Sequence, residues 1–328
     1  MTIKNTPETS SDDERINILT EAITLSAYCN ISRGLFEKDK LTFSFMTSTS
    51  ILRSQGLIAD EEWFYFLRMN FIDSSGITKP QPEITKTFIK AQRWPYLVNL
   101  EGALNKNFSN ISSKLQTEKI SLNLGTFHVT FNESSTLDSD LDANMSPFQK
   151  LLLVCTLDDT KTIEATSQFV SITLGNKFTE TTVIDLLDVY RDIDKVTPLL
   201  FILSAGSDPM NKFVNFCKET QMFDKMIAIS LGQGQGPVAR EIIKKALVNG
   251  EWIFLQNCHL AVSWMPSLEI IIKELTDNDE SIHQDFRLYL SSMPNKDIPI
   301  GILENSVKIT SEPPRGRQQS IETPVNYI

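Results

Sequence analysis

The sequence predicts an α/β protein in which a helical N-terminal half precedes a parallel sheet covered by helices on both faces. The first half repeats apolar residues at three- and four-residue steps, the period of an amphipathic helix. The second half alternates short, wholly apolar runs with helical patterns, which is typical of a parallel sheet. Hydrophobic residues make up 41% of the 328 residues and charged residues 22%, as in ordinary globular proteins.

Helical patterns account for most of the first half. Glu14 follows Ser11 by three residues, which is the spacing of a capping box, and a helix is predicted from there through Ala27. Residues 35–52 predict a second helix, and the acidic residues 60–62 begin a third, where the helix dipole favours negative charge. Further helices are predicted at 94–104, 107–115, 151–157 and 163–174.

Three alternating carboxylates, Asp138, Asp140 and Asp142, raise the question of a calcium loop. Such a loop also needs a glycine after the third ligand and a glutamate at its twelfth position. The sequence has Ala143 and Gln149 there, so a solvated loop is favoured over a calcium site.

The second half predicts five buried strands, each followed by a turn or a helix. The apolar runs that predict them lie at 199–203, 226–231, 252–255 and 286–290, with a fifth strand within 301–309. The intervening helices are predicted after residue 209, at 238–248 and at 267–275.

The turn after the first of these strands resembles a phosphate-binding loop, but it lacks the residues that a working loop needs. The segment begins at Gly206 and Ser207 and reaches Lys212, yet it lacks the second glycine of GxxxxGK[ST]. Asp208 repels phosphate, Pro209 has no N–H to offer, and Phe213 stands where a hydroxyl would hold Mg²⁺. The loop is therefore predicted to be degenerate.

The strand at 252–255 fails an independent test for nucleotide hydrolysis. It should end in two acidic residues that hold the metal's water and activate the attacking water. It ends in Gln256 and Asn257, and amides do not act as general bases. The prediction is a module without catalytic residues that does not hydrolyse ATP.

Two other constellations carry little weight. Gly232, Gly234 and Gly236 precede a helix but miss the GxGxxG spacing, so a tight turn is favoured over a ligand loop. Binding of an anion or of a partner's carboxylate at this helix N-terminus remains an alternative.

The histidines are not spaced as a metal set, and a core or capping role is favoured for His259. A hydrolase built from Ser204, His259 and Asp285 would lack the GxSxG elbow.

Charge and cysteine usage narrow the classes of partner and compartment. The net charge of −10 disfavours nucleic acid, since no basic patch offsets it. No signal peptide or membrane-spanning stretch is found. We therefore expect no membrane partner, and we expect the chain to lie in a reducing compartment. The four cysteines form no CxxC, and each is predicted to be a buried free thiol: Cys29, Cys155, Cys217 and Cys258.

An ordered set of short runs resembles the dynein heavy chain, where the fifth AAA+ module of the motor ring ends and the sixth begins. The matching runs are 33–41, 43–45, 148–152, 168–170, 174–175, 197–204, 206–209, 231–237, 252–260, 264–266, 286–288 and 312–314. The run 307–310 before residue 312 looks more like the axonemal branch than the cytoplasmic one. Residues 154–159 and 119–144 depart from the family pattern.

The resemblance implies a P-loop-NTPase-like AAA+ fold and a domain order. Residues 1–14 would be a flexible N-terminus and 317–328 a tail. Residues 15–185 would be the helical small subdomain with connecting helices, and 196–316 the α/β large subdomain with the degenerate P-loop. The other modules, stalk and linker of a dynein have no counterpart here, so the chain is expected to be a gene fragment or a divergent remnant.

The resemblance also implies a role within an ATP-driven, minus-end-directed microtubule motor. The segment would relay conformational change around the ring and bind no metal or cofactor itself, with ATP and Mg²⁺ acting in other modules. Its partners would be the neighbouring AAA+ modules, intermediate and light chains through the parent complex, and microtubules only through the stalk. The expected location is the cytoskeleton of the cytoplasm, cilium or flagellum. The alternatives are an independent nucleotide-dependent enzyme and a standalone dynein-derived binding protein.

Overall fold

The computed structural model describes residues 12–69, 79–180, 185–232, 234–277 and 279–313. Ser11, the predicted tail 317–328 and most of the predicted flexible N-terminus lie outside them. The helices are α1 (Asp12–Ser32), α2 (Glu37–Ser54), α3 (Asp60–Arg68), α4 (Trp94–Ala103), α5 (Asn105–Phe108), α6 (Ile111–Thr117), α7 (Leu141–Asn144), α8 (Pro147–Leu157), α9 (Thr162–Leu174), α10 (Leu186–Asp192), α11 (Met210–Glu219), α12 (Gly236–Asn249), α13 (Met265–Asp277) and α14 (Ile300–Glu304). The strands are β1 (Ile120–Leu124), β2 (Phe127–Phe131), β3 (Leu199–Leu203), β4 (Met226–Ser230), β5 (Trp252–Gln256), β6 (Arg287–Ser292) and β7 (Val307–Ser311).

The chain divides into two compact units. The first, called the helical unit, contains the described residues from 37 to 180. The second, called the α/β unit, contains residues 12–36 together with the described residues from 185 onward. The predicted subdomain boundaries at 15–185 and 196–316 stay a prediction. No helix within the described residues is long and apolar enough to cross a membrane.

An aromatic cluster forms the centre of the helical unit. Phe45 of α2 lies 5.3 Å, between ring centroids, from Phe66 of α3, and Phe148 of α8 lies 5.9 Å from Phe169 of α9. Helix α8 begins with a capping box in which the Ser146 hydroxyl accepts the N–H of Gln149 at 3.2 Å. Burying several aromatic rings in one cluster contributes much of the apolar area that stabilises a unit of this size.

Glu62 is a buried carboxylate within this unit, with only 3% of its surface exposed. Its Oε1 accepts hydrogen bonds from the side-chain amides of Asn107 and Gln149, each at 2.6 Å. A buried charge is tolerated only when donors replace the lost water, and these two amides supply them.

A β-hairpin interrupts the helices of this unit, in a stretch for which the sequence predicted neither helix nor strand. Strands β1 and β2 pair antiparallel, with Leu122 opposite Val129, and both side chains are buried. The two-residue turn between them contains Gly125 at φ +61°, a left-handed conformation that glycine adopts at little cost. No element was predicted for these residues, because the alternating apolar residues of 120–131 were not recognised as strands.

The α/β unit is built on a five-stranded sheet in the order β4-β5-β6-β3-β7, and every neighbouring pair is parallel. Two clusters of buried side chains lie on its opposite faces. Residues of α12, α13 and α14 pack with Leu200, Ile253 and other residues on one face. Residues of α10 and α11 pack with Phe201, Phe254 and their neighbours on the other. The predicted parallel sheet with helices on both faces is confirmed.

The segment after α1 lies along the outer edge of β7. The N–H of Thr310 donates to the carbonyl of Arg33 at 2.9 Å, and the Thr310 hydroxyl donates to the carbonyl of Leu35 at 3.0 Å. The Arg33 guanidinium also pairs with Asp192 at 2.7 Å, which holds the segment against the unit.

Candidate functional site

The loop that resembles a phosphate-binding loop follows β3, as the sequence predicted. Gly206 adopts φ +75°, which permits the sharp reversal between β3 and α11. The loop is tied to the end of β7, because the N–H of Ser204 donates to the carbonyl of Ser311 at 3.1 Å and the Ser207 hydroxyl donates to the Ser311 hydroxyl at 2.8 Å.

The Asp208 side chain binds one of the backbone N–H groups at the N-terminus of α11. Its carboxylate accepts the N–H of Met210 at 2.9 Å. Phosphate groups bind at helix N-termini through such free N–H groups and through the positive end of the helix dipole. A carboxylate of the chain itself therefore opposes phosphate here, and Pro209 beside it has no N–H to offer.

The two residues at the phosphate-binding and metal-binding positions of a working loop, Lys212 and Phe213, do not face the cleft described below. Lys212 is exposed and is not among the residues that line the cleft described below. Phe213 is wholly buried, with its ring centroid 4.6 Å from those of Phe254 and Tyr289. Phenylalanine has no hydroxyl to bind a metal ion, and this side chain is packed in the aromatic core.

The end of β5 brings Gln256 and Asn257 to the same edge of the sheet. The side-chain N–H of Gln256 donates to the sulfur of Met210 at 3.1 Å. Asn257 adopts a left-handed conformation at φ 56°, and its backbone N–H donates to the Ser291 hydroxyl at 3.2 Å. The carboxyl ends of β3, β5 and β6 are thereby linked at this edge, which is where ligands bind in sheets of this kind.

A cleft of about 240 Å³ opens between these elements. Its lining combines polar and apolar side chains, and it contains one carboxylate and no lysine, arginine or histidine. The lining residues are Leu203, Ser207, Asp208, Pro209, Phe254, Gln256, Asn257 and Ser291. Mg-ATP does not fit this donor set, because no cation faces the phosphates and one carboxylate opposes them.

Comparison with known proteins identifies the family. Residues 194–310 match the dynein heavy chain region D6 P-loop domain. The chain is 39% identical over 98% of its length to dynein axonemal heavy chain 6 of Homo sapiens. It is 36% identical over 96% of its length to dynein axonemal heavy chain 1 of the same species, and 34% identical over 98% to the Chlamydomonas reinhardtii dynein-1-beta heavy chain of the flagellar inner arm I1 complex. The chain belongs to the dynein heavy chain family.

This dynein segment spans only 8% of the first relative and 7% of the other two. The resemblance inferred from the short ordered runs is confirmed, and the D6 match covers the parallel sheet except for its last residue, Ser311.

The glycine-rich turn of the dynein segment lies at the start of α12 and does not line the cleft. Gly234 adopts φ +80°, and a Cβ built on Gly236 would lie 2.5 Å from the ring of Trp264. The backbone at Gly236 must approach the indole closely, which explains why a glycine stands there without invoking a ligand. This geometry favours the tight turn over the anion-binding alternative.

His259 and His283 of this dynein segment accept separate backbone N–H groups, and His128 contacts the side chain of Asn123. The Nδ1 of His259 accepts the N–H of Met293 at 3.1 Å, and the Nδ1 of His283 accepts the N–H of Asp285 at the same distance. The hydroxyl of Ser204 donates to the carbonyl of Ser311 rather than to His259. The hydrolase alternative therefore has no geometric support.

The three aspartates that raised the calcium question pair with three different lysines. Asp138, Asp140 and Asp142 contact Lys119, Lys114 and Lys150 at 3.7, 3.3 and 2.8 Å. Partial burial would raise the pKa of Asp142, but hydrogen bonds from Lys150 and Asn123 outweigh it and the pKa is lowered. The carboxylates hold the loop to its surroundings by ion pairs.

Three of the four cysteines are buried free thiols, as predicted, and one is not. Burial raises the pKa of Cys155, Cys217 and Cys258 to about 12. Cys29 is exposed on α1, so the prediction of a buried thiol was wrong there.

Ser291 lines the cleft, although the sequence analysis did not name it as a site residue. Its position at the end of a predicted strand was the available signal.

Proposed function

We propose that the chain is a structural, non-hydrolysing AAA+ segment of an axonemal-type dynein heavy chain. It passes conformational change between its ring neighbours in a motor that moves toward microtubule minus ends. The ATP and Mg²⁺ of that motor act in other modules. The axonemal and flagellar names of the relatives support a location in the cytoskeleton of the cilium or flagellum.

The partners proposed for the segment follow from this placement. The adjacent AAA+ modules contact it directly, intermediate and light chains join through the parent complex, and microtubules bind through the stalk of the parent motor. No nucleic acid or membrane partner is proposed, given the net charge of −10.

One observation carries the non-hydrolysing role. Phe213 occupies the position of the metal-binding hydroxyl and is 0% exposed within an aromatic cluster. A hydrolytic site needs that hydroxyl, a phosphate-facing lysine and a carboxylate at the end of β5. Here the lysine is exposed and the strand ends in amides, so three independent requirements fail.

Isothermal titration calorimetry with Mg-ATP and a phosphate-release assay test the proposal on the full 328-residue chain. We expect no binding at submillimolar nucleotide and no release of phosphate above the buffer rate. Micromolar binding with turnover, both abolished by Lys212→Ala, would show that the segment is an active nucleotide enzyme. Gln235→Ala, outside the cleft lining, serves as the control variant.

A further inference from the structure

We propose that the groove between α12 and α13 receives an acidic amphipathic helix of a protein partner. Apolar side chains of that helix enter the groove, and a carboxylate beside them pairs with Arg240. The groove is a different surface from the cleft at the ends of β3 and β5, because among the described residues the two have no lining residue in common. The inference therefore goes beyond the proposed function and does not depend on whether the segment hydrolyses nucleotide.

One face of α12 forms the first side of the groove. Its lining residues are Arg240, Ile243, Lys244 and Leu247. They stand at positions i, i+3, i+4 and i+7 of the helix, so they share one face over two turns, roughly 10 Å at 1.5 Å per residue. The face thus combines two apolar side chains with two cations.

Helix α13 and the chain that follows it form the other side. Ile271, Leu275 and Ile282 line the groove and are 7%, 2% and 6% exposed. They belong to the same buried cluster as Ile243, so the apolar part of the lining is continuous with the core of the α/β unit.

The shape of the groove favours a helix as its occupant. Its volume is about 210 Å³, and its residues are spaced along two neighbouring helices. Amphipathic helices bind in such grooves by inserting apolar anchors at positions i, i+3, i+4 and i+7. A stripe of two turns on α12 matches the length of one such set of anchors.

The charges of the groove favour an acidic occupant. Arg240 is half-buried, and within the described residues no hydrogen bond or ion pair engages its guanidinium. A charge removed from water is stabilised only when a partner replaces the water. Lys244 pairs with Glu241 at 3.1 Å, but both side chains are exposed, so this ion pair contributes little. A partner's carboxylate beside Arg240 can accept two parallel hydrogen bonds from the guanidinium.

The test uses labelled peptides titrated into the full chain and followed by fluorescence anisotropy. Each is rich in alanine and roughly 15 residues long, because shorter isolated helices are marginal in water. The glutamate peptide carries leucine at i, i+3, i+4 and i+7 with glutamates beside that stripe, and in the glutamine peptide glutamine replaces each glutamate. We expect saturable binding of the glutamate peptide, with amide shifts at Ile243, Leu247 and Leu275, and binding at least tenfold weaker of the glutamine peptide.

Variants of Arg240 locate the carboxylate. Arg240→Gln should weaken binding of the glutamate peptide about tenfold, to the level of the glutamine peptide. Arg240→Glu should reject the glutamate peptide and bind a lysine peptide, with lysine in place of the glutamates, better than the parent chain does. A variant that merely fails to fold cannot show this exchange of preference. Lys245→Gln, exposed on α12 but outside the lining, should leave binding unchanged.

Equal affinity for the glutamate and glutamine peptides, or amide shifts confined to other residues, would overturn the acidic-helix receptor. So would a failure of the parent chain to bind the glutamate peptide, or of Arg240→Glu to exchange its preference. Hexanoate, an aliphatic carboxylate without a helix, is titrated in parallel. If it binds in the groove as tightly as the glutamate peptide, the groove is a small-molecule pocket and the helical partner is refuted.

Discussion

Adding one methyl group at Gly236 tests whether the glycine-rich turn is built for packing. A Cβ at this position would lie 2.5 Å from two atoms of the Trp264 ring, well inside the contact distance of two carbon atoms. The ring or the start of α12 must therefore shift. Overpacking of this kind costs about 1–3 kcal/mol, and two ring atoms at such short range place Gly236→Ala near the upper end.

The same turn supplies matched controls. Nothing lies within 4 Å of a Cβ built on Gly232, so Gly232→Ala should change the free energy of unfolding little. Gly234 is equally open but adopts φ +80°, and alanine there costs roughly 1–2 kcal/mol of backbone strain. The expected order of destabilisation is Gly236→Ala, then Gly234→Ala, then Gly232→Ala.

Thermal and urea unfolding measure these differences. A loss of about 3 kcal/mol lowers the melting temperature by roughly 6–12 °C in a unit of this size. In a Trp264→Ala background the ring is gone, so Gly236→Ala should then cost less than about 1 kcal/mol, a non-additivity expected of residues in contact. Equal tolerance at Gly232 and Gly236, or additive effects with Trp264→Ala, would refute the packing explanation.

Three further predictions concern buried groups. Glu62→Ala should lower the free energy of unfolding by about 1–3 kcal/mol, because the buried acceptor of two side-chain hydrogen bonds, from Asn107 and Gln149, is lost. Urea titration against the exposed Glu61→Ala checks this, and equal effects would contradict it. Phe213→Ala should cost about 3–5 kcal/mol by emptying part of the aromatic core, whereas Phe223→Ala, 44% exposed, should cost far less. In a thiol-reagent assay of the native chain near pH 8, Cys29 should react promptly and the three buried cysteines only on unfolding, since burial raises their pKa to about 12. A second fast-reacting thiol would show that one of those sites opens in the native state.

The parallel sheet was predictable because its strands are buried on both faces and so consist of unbroken apolar runs. Residues 199–203 were predicted as a strand, and β3 spans the same five residues. Strands β4, β5 and β6 lie within two residues of their predicted bounds. Helices α12 and α13 extend one or two residues beyond their predicted bounds at each end.

The hairpin β1–β2 was not predicted, although its buried residues alternate. Its strands are short and lie between helices, where an apolar residue at every second position also fits part of a helical period. The tight turn at Gly125 and the pairing of Leu122 with Val129 across it favour two strands over a helix here. Pairing between strands is not a local property of either one, so neither run specifies it alone.

The cleft was partly predictable. The sequence placed Ser207, Asp208, Gln256 and Asn257 at strand ends, and parallel strands bring such ends to one edge. That Lys212 lies outside the cleft depends on which way one turn of α11 faces, which spacing does not determine. Ser291 enters through strand order, because β6 lies between β5 and β3 although it follows both in the chain.

The contact of residues 33–35 with β7 has a practical consequence for anyone who shortens this chain. β7 ends the sheet, and an uncovered edge strand presents free N–H and C=O groups to other molecules. On that edge the carbonyl of Arg33 accepts the backbone N–H of Thr310, and the carbonyl of Leu35 accepts its hydroxyl. A truncation that begins after residue 36 would keep every strand of the sheet and yet expose a template for intermolecular pairing. Expression trials of the D6 region alone should therefore retain α1 and the segment that follows it, or aggregation is the expected result.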